Sequence, residues 1–401
     1  MHYLYWLILA MFLGWSVIVP LCVSDQAVAA SQAIKPTGGA TQPLLSWVIS
    51  PPLGLPPMHI PQNNPMTEKK IALGRKLFFD RRLSFNRTLS CAMCHIPEQG
   101  FTQHEIKTPV GIEGRFVKRN APALYNVGYR QLLFHDGREH SLENQIWQPL
   151  LRVNEMANPS IGFVLNTIRA AEDYRGLFEA AFGRGPGMET VGMALASYQR
   201  GLVSANSAFD RWYFGGEEHA MGAAALRGFK LFQAEGCIRC HSISENYALF
   251  SDGQFHNTGI GFASAMLSER NKAATIRLAP GVEVTAKVHF DQPQSSDLGR
   301  YEATGRAEDR WLFRTPSLRN VAVTAPYMHD GSLPDLASVL DFYNRGAVPH
   351  SELDSRLRAM GLNREQLEDL RSFLLALTGD NLLQLQTDGR STTIGDTLNT
   401  Q

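Results

Sequence analysis

Two short patterns of the same kind carry the residues that could do chemistry. Cys-x-x-Cys-His stands at Cys91–His95 and again at Cys237–His241. On a helical turn, residues at positions i, i+3 and i+4 share a face, so two thiols and an imidazole point the same way. Two thiols can bond the two vinyl groups on one edge of a porphyrin while the imidazole reaches the iron. The pattern is the attachment signature of a c-type haem.

Each pattern therefore predicts one covalently bound haem. Structural zinc half-sites and redox Cys-x-x-Cys pairs are the alternatives, but neither needs a His directly after the second Cys. We interpret the chain as a dihaem protein in which the thiols attach the cofactors and the imidazoles bind iron. The attaching residues are Cys91, Cys94, Cys237 and Cys240, and the iron ligands are His95 and His241.

The composition excludes some functions. Lys plus Arg and Asp plus Glu are both 38 among 401 residues, and no basic run is present, so no nucleic-acid partner is expected. This length gives room for two domains, each with its own core.

The N-terminus predicts export. Residues 3–23 are nearly all apolar, and Ala27-Val28-Ala29 is a small-residue cleavage signal. His2 stands where a basic residue is usual, and the apolar run is long, so an uncleaved inner-membrane anchor is the alternative. Cys22 is the one cysteine outside the haem patterns, which leaves no thiol pair for a disulfide. We expect a periplasmic protein cleaved near Ala29.

The sequence pattern predicts five segments along the chain. Eight prolines between Ser31 and Met66 indicate a linker or an extended surface segment, and Thr67 is a candidate N-cap for the helix that follows. After Asp380 the chain turns polar and is expected to fray. The segments are 1–29 (signal peptide), 30–66 (Pro-rich), 67–215 (first haem domain), 216–380 (second haem domain) and 381–401 (polar tail).

An internal repeat relates the two halves. Thirteen residues separate Pro122 from His135, and thirteen separate Pro316 from His329. This recurrence predicts two domains related by duplication. Strand signals are scarce, so the fold class is mainly α, with two cytochrome c-like haem domains. The matching segments are Gly74–Phe78 with Gly228–Phe232, Arg119–Val127 with Arg314–Val321, His135-Asp-Gly with His329-Asp-Gly, and Leu142 with Leu336.

Each half then enters a helix, and the two helices differ at one position. Ser141 can cap the first, and Pro334 suits the first turn of the second. Superposing the repeats places Pro149 opposite Tyr343. Tyr can ligate haem iron, whereas Pro has no ligating atom, so the second haem is predicted to be closed and the first open. The alternative for Tyr343 is a core aromatic.

Two polar residues flank Pro149. Gln145 comes one turn before it, and Glu155 follows shortly after. A Glu partly desolvated over a haem can take a proton from one peroxide oxygen and return it to the other, while Gln145 could hydrogen-bond the oxygen on iron. The alternative is that both are ordinary polar residues of a helix.

These residues resemble the bacterial dihaem cytochrome c peroxidases, a family that includes MauG, which completes the tryptophan-derived cofactor of methylamine dehydrogenase. The resemblance covers roughly residues 67–378. It rests on both Cys-x-x-Cys-His patterns, Arg119–Pro122, Phe134–Arg138, Gln145, Pro149, Glu155 and Thr315–Gly331.

The resemblance implies roles for individual residues. The first haem is expected to be the peroxidatic one, with Glu155 as its acid–base and with Gln145 and Pro149 lining its pocket. Tyr343 matches the axial Tyr of MauG, where peroxidases of the family have Met; a nearby Met such as Met328 stays an alternative ligand. A calcium ion between the domains is expected on Asn120 and on the backbone carbonyls of Thr324 and Pro326.

Three positions depart from the family. The Trp between the haems is replaced by His135, which is harder to oxidise, so hole hopping through this position is not expected. His135 has a second interpretation, as a hydrogen-bonding partner of a haem propionate or of the backbone, which His329 would share. Glu235 replaces the Trp that passes holes to the protein substrate of MauG, so activity on methylamine dehydrogenase is not expected. The loop 107–118 lacks the distal His of regulated peroxidases, and only His104 is near.

The sequence therefore predicts a periplasmic dihaem peroxidase. Hydrogen peroxide is its expected substrate, with Glu155, Gln145, Pro149 and His135 as candidate catalytic residues. Its expected electron donor is a small cytochrome c or a cupredoxin. MauG-like oxidation of a residue on a partner protein is one alternative, and a dihaem electron carrier without peroxide chemistry is another.

Overall fold

A computed structural model describes residues 44–268, 274–279, 282–286 and 296–390. The predicted signal peptide, the residues up to 43 and the last residues of the predicted tail lie outside this described part. The α-helices within it are α1 (Leu44–Ile49), α2 (Glu68–Phe79), α3 (Cys91–Cys94), α4 (Leu142–Gln145), α5 (Trp147–Leu151), α6 (Ile161–Ala170), α7 (Leu177–Phe182), α8 (Met188–Gly201), α9 (Ala208–Tyr213), α10 (Ala223–Ala234), α11 (Ile260–Ser268), α12 (Tyr301–Thr304), α13 (Leu336–Asn344), α14 (Arg364–Leu375) and α15 (Leu382–Arg390).

Strands are few and short in these ranges. β1 (Phe255–His256) pairs antiparallel with β4 (Phe313–Arg314), and β2 (Ala274–Ala279) pairs antiparallel with β3 (Val282–Ala286). The mainly α fold class is thereby confirmed. Single 3₁₀ turns lie at Arg81–Leu83, Pro97–Gln99, Ile112–Gly114, Val127–Tyr129, Glu172–Tyr174, Cys237–Arg239, Ala307–Asp309 and Val321–Val323.

The main core consists of two clusters of buried apolar side chains. The first is built mainly from residues 44–205 and the second from residues 209–377. Both belong to one compact unit that begins at Gln42. The first cluster gives way to the second close to the predicted domain boundary at residue 215. This agrees with two domains, whose exact limits stay a prediction.

A close helix crossing forms the centre of each cluster. An added Cβ on Gly74 of α2 would lie 1.9 Å from the carbonyl oxygen of Ala194 in α8. An added Cβ on Gly228 of α10 would lie 1.9 Å from the carbonyl oxygen of Asp369 in α14. Only glycine allows the backbones to approach this closely. The repeated Gly-x-Lys-Leu-Phe segments therefore provide the crossing point of each half.

Local structure also repeats after each haem pattern. Asn126 and Asn320 both adopt left-handed backbone conformations, with φ of 58° and 60°. Isolated bridges join Leu133 to Glu139 and, at the matching position, Tyr327 to Leu333. These matches support the internal duplication, which stays a prediction.

The two predicted N-caps, Thr67 and Ser141, are confirmed, whereas the predicted start of a third helix at Pro334 was wrong. The Thr67 hydroxyl accepts a hydrogen bond from the Lys70 amide at the start of α2, and the Ser141 hydroxyl accepts one from Asn144 at the start of α4. Helix α13 begins at Leu336, two residues after Pro334, because Asp335 is the cap and accepts a hydrogen bond from the Ser338 amide. A carboxylate is a better N-cap acceptor than a proline, which has no side-chain oxygen.

Two segments are more ordered than their composition suggested. Helix α1 lies within the Pro-rich segment and buries Leu44, Trp47 and Val48, because these apolar residues share one helix face. Helix α15 lies within the predicted tail, and its Leu385 is completely buried in the first cluster. The expectation that the chain frays directly after Asp380 was wrong, since tertiary packing outweighs polar composition there.

We expect Gly228→Ala to destabilise the protein. The methyl group would meet the Asp369 carbonyl, and overpacking of this kind costs about 1–3 kcal/mol. The midpoint temperature of thermal unfolding of the haem-loaded protein should fall. Gly162→Ala in α6 is the matched control, because the nearest atom to its new Cβ is 3.7 Å away. Equal midpoints for the two variants would contradict the close crossing.

Candidate haem sites

The first Cys-x-x-Cys-His pattern forms a single helical turn. Helix α3 spans the two cysteines, and the backbone amide of His95 donates to the carbonyl of Cys91 at 2.9 Å. Both cysteines have free thiols. The turn therefore holds two thiols and an imidazole in the order that haem attachment requires.

The ring of His95 is fixed by its second nitrogen. Nδ1 lies 3.0 Å from the carbonyl oxygen of Phe101, so it carries the proton and donates it to that oxygen. Burial lowers the pKa of His95 to about 4, because the charged ring would lose its hydration. The ring is thus neutral at pH 7, and Nε2 keeps the lone pair that an iron ion needs.

The second pattern repeats this arrangement in a tighter turn. Residues Cys237–Arg239 form a 3₁₀ turn, and the His241 amide donates to the Cys237 carbonyl at 2.9 Å. His241 Nδ1 lies 2.9 Å from the carbonyl oxygen of Phe250, and burial lowers the pKa of this imidazole as well. His241, like His95, is therefore a neutral imidazole whose Nδ1 is hydrogen-bonded and whose Nε2 can bind iron.

A cavity beside the two motifs fits the acidic edge of haem. It has a volume of about 630 Å³, and Arg130 and Arg314 contribute to its lining. Arg130 donates to the carbonyl of Ala123, and Arg314 donates to the carbonyls of Phe134 and Thr315. Burial lowers the pKa of Arg130 to about 9 and that of Arg314 to about 10.

Arg314 is buried and Arg130 is half-buried, and the carbonyl oxygens that they contact carry no full negative charge. The cavity is also lined by Arg300, Arg306, Asp252 and Asp309, so arginines outnumber carboxylates around it. A haem carries two propionate carboxylates, so this cavity has the charge that such a group needs. The residues present therefore fit bound haem.

Glu155 lies close to the first pair of thiols. Burial, together with the charge of Glu155, raises the pKa of Cys91 and of Cys94 to about 12. The carboxyl is half-buried, and burial raises its own pKa above the usual value for Glu. The nearby charges of Arg152 and Arg138 oppose that rise. Neither arginine was singled out as a functional residue from the sequence.

Gln145 and Pro149 lie where two short helices meet. Gln145 ends α4, Ile146 interrupts the helix, and α5 contains Pro149. Pro149 has no amide hydrogen to donate to the Gln145 carbonyl four residues earlier, which explains the interruption. The Pro149 carbonyl accepts from the Met156 amide at 3.1 Å, so this turn leads directly to Glu155.

Tyr343 lies near the second pair of thiols. It is half-buried in α13, and burial raises the pKa of its phenol. The charges of Cys237 and Cys240 raise that pKa further. The structure thus places Tyr343 next to the second motif; its role as an iron ligand, and the alternative Met328, stay predictions.

The segments containing His135 and His329 hydrogen-bond to each other's half of the repeat. The Asn120 amide donates to the His329 carbonyl at 2.7 Å, and the Arg314 amide donates to the His135 carbonyl at 2.8 Å. Asn120 and Arg314 occupy matching positions of the repeat. His135 Nε2 lies 3.0 Å from the Asn120 carbonyl, which agrees with the backbone-bonding interpretation of this residue. His329 stacks on Phe313 with 3.6 Å between ring centres.

Two of the residues predicted to bind calcium make hydrogen bonds through atoms that would not bind the ion. The Asn120 side-chain amide donates to the Lys107 carbonyl, and the Thr324 hydroxyl donates to the Val321 carbonyl. Calcium binding by Asn120, Thr324 and Pro326 remains a prediction. His104 is exposed, and its Nε2 lies 3.1 Å from the Val323 carbonyl, so its ring contacts the second half of the chain.

Sequence reasoning missed a charged cluster beside Cys240. His256 lies between two carboxylates, with Nε2 2.8 Å from Asp252 and Nδ1 2.8 Å from Asp354. Burial opposes protonation, but hydrogen bonds to Cys240 and Asp252 raise the pKa of His256 to about 9. No local pattern could have found this cluster, because Asp354 is distant in sequence.

Within the described part of the chain, no helix has the length and apolar character needed to cross a membrane.

Comparisons with known proteins agree with two haem sites. A model of the family "Di-haem cytochrome c peroxidase" matches residues 68–218. The methylamine utilization protein MauG of Methylorubrum extorquens is 36% identical over 323 residues, which cover 80% of this chain and 81% of that protein. The cytochrome-c peroxidase IdrP1 of Denitromonas iodatirespirans is 36% identical over 337 residues, covering 82% of this chain and 86% of that protein.

A solved structure shares the fold. The crystal structure of a MauG-like protein associated with microbial copper homeostasis matches with a TM-score of 0.67 and 30% sequence identity. The match covers 83% of this chain and 95% of that one. The paired thiols, the neutral imidazoles and these relatives lead to one conclusion: the chain belongs to the di-haem cytochrome c peroxidase family, which includes MauG, and is an oxidoreductase whose family implies two c-type haems.

Proposed function

We propose that the chain is a periplasmic peroxidase that reduces hydrogen peroxide at the first haem site and receives electrons through the second. When bound, haem supplies the iron that binds peroxide and exchanges electrons. Two electrons and two protons convert hydrogen peroxide to two water molecules. The electrons come from an external donor such as a small cytochrome c or a cupredoxin.

The position of Glu155 carries this proposal. Its half-buried carboxyl lies close to Cys91 and Cys94, and burial raises its pKa. A carboxylate in this setting accepts a proton from the peroxide oxygen that binds first and returns it to the oxygen that leaves as water. Gln145 is proposed to hydrogen-bond peroxide, while Pro149 offers no side-chain ligand that would compete with it.

The second haem is proposed to be held by His241 and Tyr343. A phenolate ligand stabilises oxidised iron, because its negative charge favours the more positive metal ion. The location of Tyr343 near Cys237 and Cys240 supports this assignment. We also propose export by residues 1–29 and a calcium ion at Asn120, Thr324 and Pro326.

MauG-like oxidation of a partner protein is the second candidate function. Tyr343 and the likeness to MauG favour it. His135 and Glu235 argue against it, because neither side chain supplies the oxidisable indole that the resemblance leads us to expect at its position. Stopped-flow mixing of the fully oxidised protein with peroxide separates the candidates. A fast change of the haem spectrum supports the MauG-like cycle, reaction only after partial reduction supports a regulated peroxidase, and no reaction supports an electron carrier.

Glu155→Gln should slow the reaction with peroxide by about 10²–10⁴-fold, because the amide cannot accept the proton. In the unchanged protein the rate should fall as the pH drops through a pKa above the usual value for Glu, since the protonated carboxyl cannot act as a base. Stopped-flow rates across pH measure both effects. Glu172→Gln, at an exposed position, is the control. An unchanged rate in Glu155→Gln with intact haem attachment would remove Glu155 from the mechanism.

Tyr343→Phe should change the absorption spectrum of the second haem and raise its reduction potential, because the anionic ligand is lost. A spectroelectrochemical titration measures both quantities. Tyr213→Phe, on an exposed tyrosine whose ring stacks on Phe209 of the second cluster, should leave them unchanged. If the Tyr343 variant keeps the spectrum of the second haem, another ligand such as Met328 holds the iron.

A further inference from the structure

A small hairpin lies against the segment that contains Glu155. Val110 and Phe116 form its closing bridge, and the Gly111 amide donates to the Arg115 carbonyl at 2.7 Å. Ile112 anchors the hairpin, since only 2% of its surface is exposed. Residues 110–116 are referred to below as the 110–116 hairpin.

Three hydrogen bonds fasten this hairpin to residues 153–155. The Ile112 amide donates to the Glu155 carbonyl at 3.0 Å, and the Asn154 side-chain amide donates to the Phe116 carbonyl at 3.1 Å. Arg115 Nη1 donates to the Val153 carbonyl at 2.7 Å. Three consecutive residues ending at Glu155 are therefore each held by the hairpin.

Gly111 brings the two backbones into contact. A Cβ added there would lie 2.1 Å from the Asn154 carbonyl oxygen and 2.9 Å from the Glu155 Cα. The backbone of Gly111 has φ of −81°, which any residue can adopt. Glycine is therefore required here by the close approach and not by the backbone conformation.

The opposite side of this segment is held by the helix that contains Pro149. The Glu155 amide donates to the Arg152 carbonyl at 3.0 Å, and the Met156 amide donates to the Pro149 carbonyl at 3.1 Å. The main chain of Glu155 is thus fixed on one side by α5 and on the other by the 110–116 hairpin. Either contact, if lost, would let the carboxyl move.

We propose that the 110–116 hairpin positions Glu155 for proton transfer. Gly111 determines how closely the hairpin packs against the backbone of residues 154 and 155. This inference rests on the proposed role of Glu155 as acid–base. Proton transfer depends steeply on the placement of the base, and a displacement of about 1 Å can cost about 100-fold in rate. Burial of this carboxyl raises its pKa, so a displacement that exposes it to water would lower that pKa.

The test compares variants of the full haem-loaded protein. Gly111→Ala should lower the rate of the peroxide reaction about 10- to 100-fold, because the methyl group pushes the hairpin off Asn154 and displaces Glu155. The pH at which the rate falls should shift downward, since a more exposed carboxyl has a lower pKa. Asn154→Ala, which adds no bulk, should shift both quantities in the same direction and by less.

Gly114→Asn is the matched control in the same hairpin. Gly114 has φ of 76°, which Asn tolerates, and a Cβ there meets no atom within 4 Å. This variant should keep the rate and the pH profile of the unchanged protein. Haem content and the potential of the second haem should stay constant throughout the series.

The outcomes separate this inference from the proposed function. If Glu155→Gln keeps the normal rate, the acid–base role itself fails. If Glu155→Gln is slow while Gly111→Ala and Asn154→Ala keep the normal rate and pH profile, the positioning role alone is overturned. A rate loss that follows a loss of bound haem would overturn it as well, since the hairpin would then support haem binding and not Glu155.

Discussion

The hydrogen bond from each motif histidine to a backbone carbonyl is the constraint on which both haem sites depend. His95 bonds to Phe101 and His241 bonds to Phe250, in each case through Nδ1. Because that nitrogen is occupied and the ring is buried in a neutral state, Nε2 is left for iron. The loops after both motifs must therefore close back on the motif, and the buried Phe101 and Phe250 hold those loops in the core.

The reciprocal hydrogen bonds between the repeated segments couple the two halves. Asn120 bonds to His329 and Arg314 bonds to His135, through main-chain atoms at matching positions. Main-chain hydrogen bonds do not depend on the side chain, so this contact allows different residues at position 135. The side chain of His135 also contacts this region, since its Nε2 lies 3.0 Å from the Asn120 carbonyl oxygen. Position 135 thus serves the contact between halves, whatever it contributes to electron transfer.

The difference between the halves lies in the helix that follows each repeated segment. Both helices begin with a capping side chain, Ser141 in one and Asp335 in the other. The second continues unbroken through Tyr343, whereas the first is interrupted before Pro149 and turns into the segment of Glu155. Pro149 lacks the backbone amide that a continuous helix needs. The first half therefore turns towards Glu155 where the second half continues its helix through Tyr343.

The amino-acid sequence is enough to find the two haem attachment motifs, the mainly helical fold class, the caps Thr67 and Ser141, and the family. These features are encoded by residues that are neighbours along the chain, so spacing and local chemistry suffice to find them. The contacts between distant segments became known only from the three-dimensional packing of the chain. It brought Arg130 towards Arg314, enclosed His256 between Asp252 and Asp354, and packed helix α15 onto the first cluster. It also seated Gly111 against Asn154. Such pairs leave no local pattern, because each is fixed by how the whole chain packs and not by either residue alone.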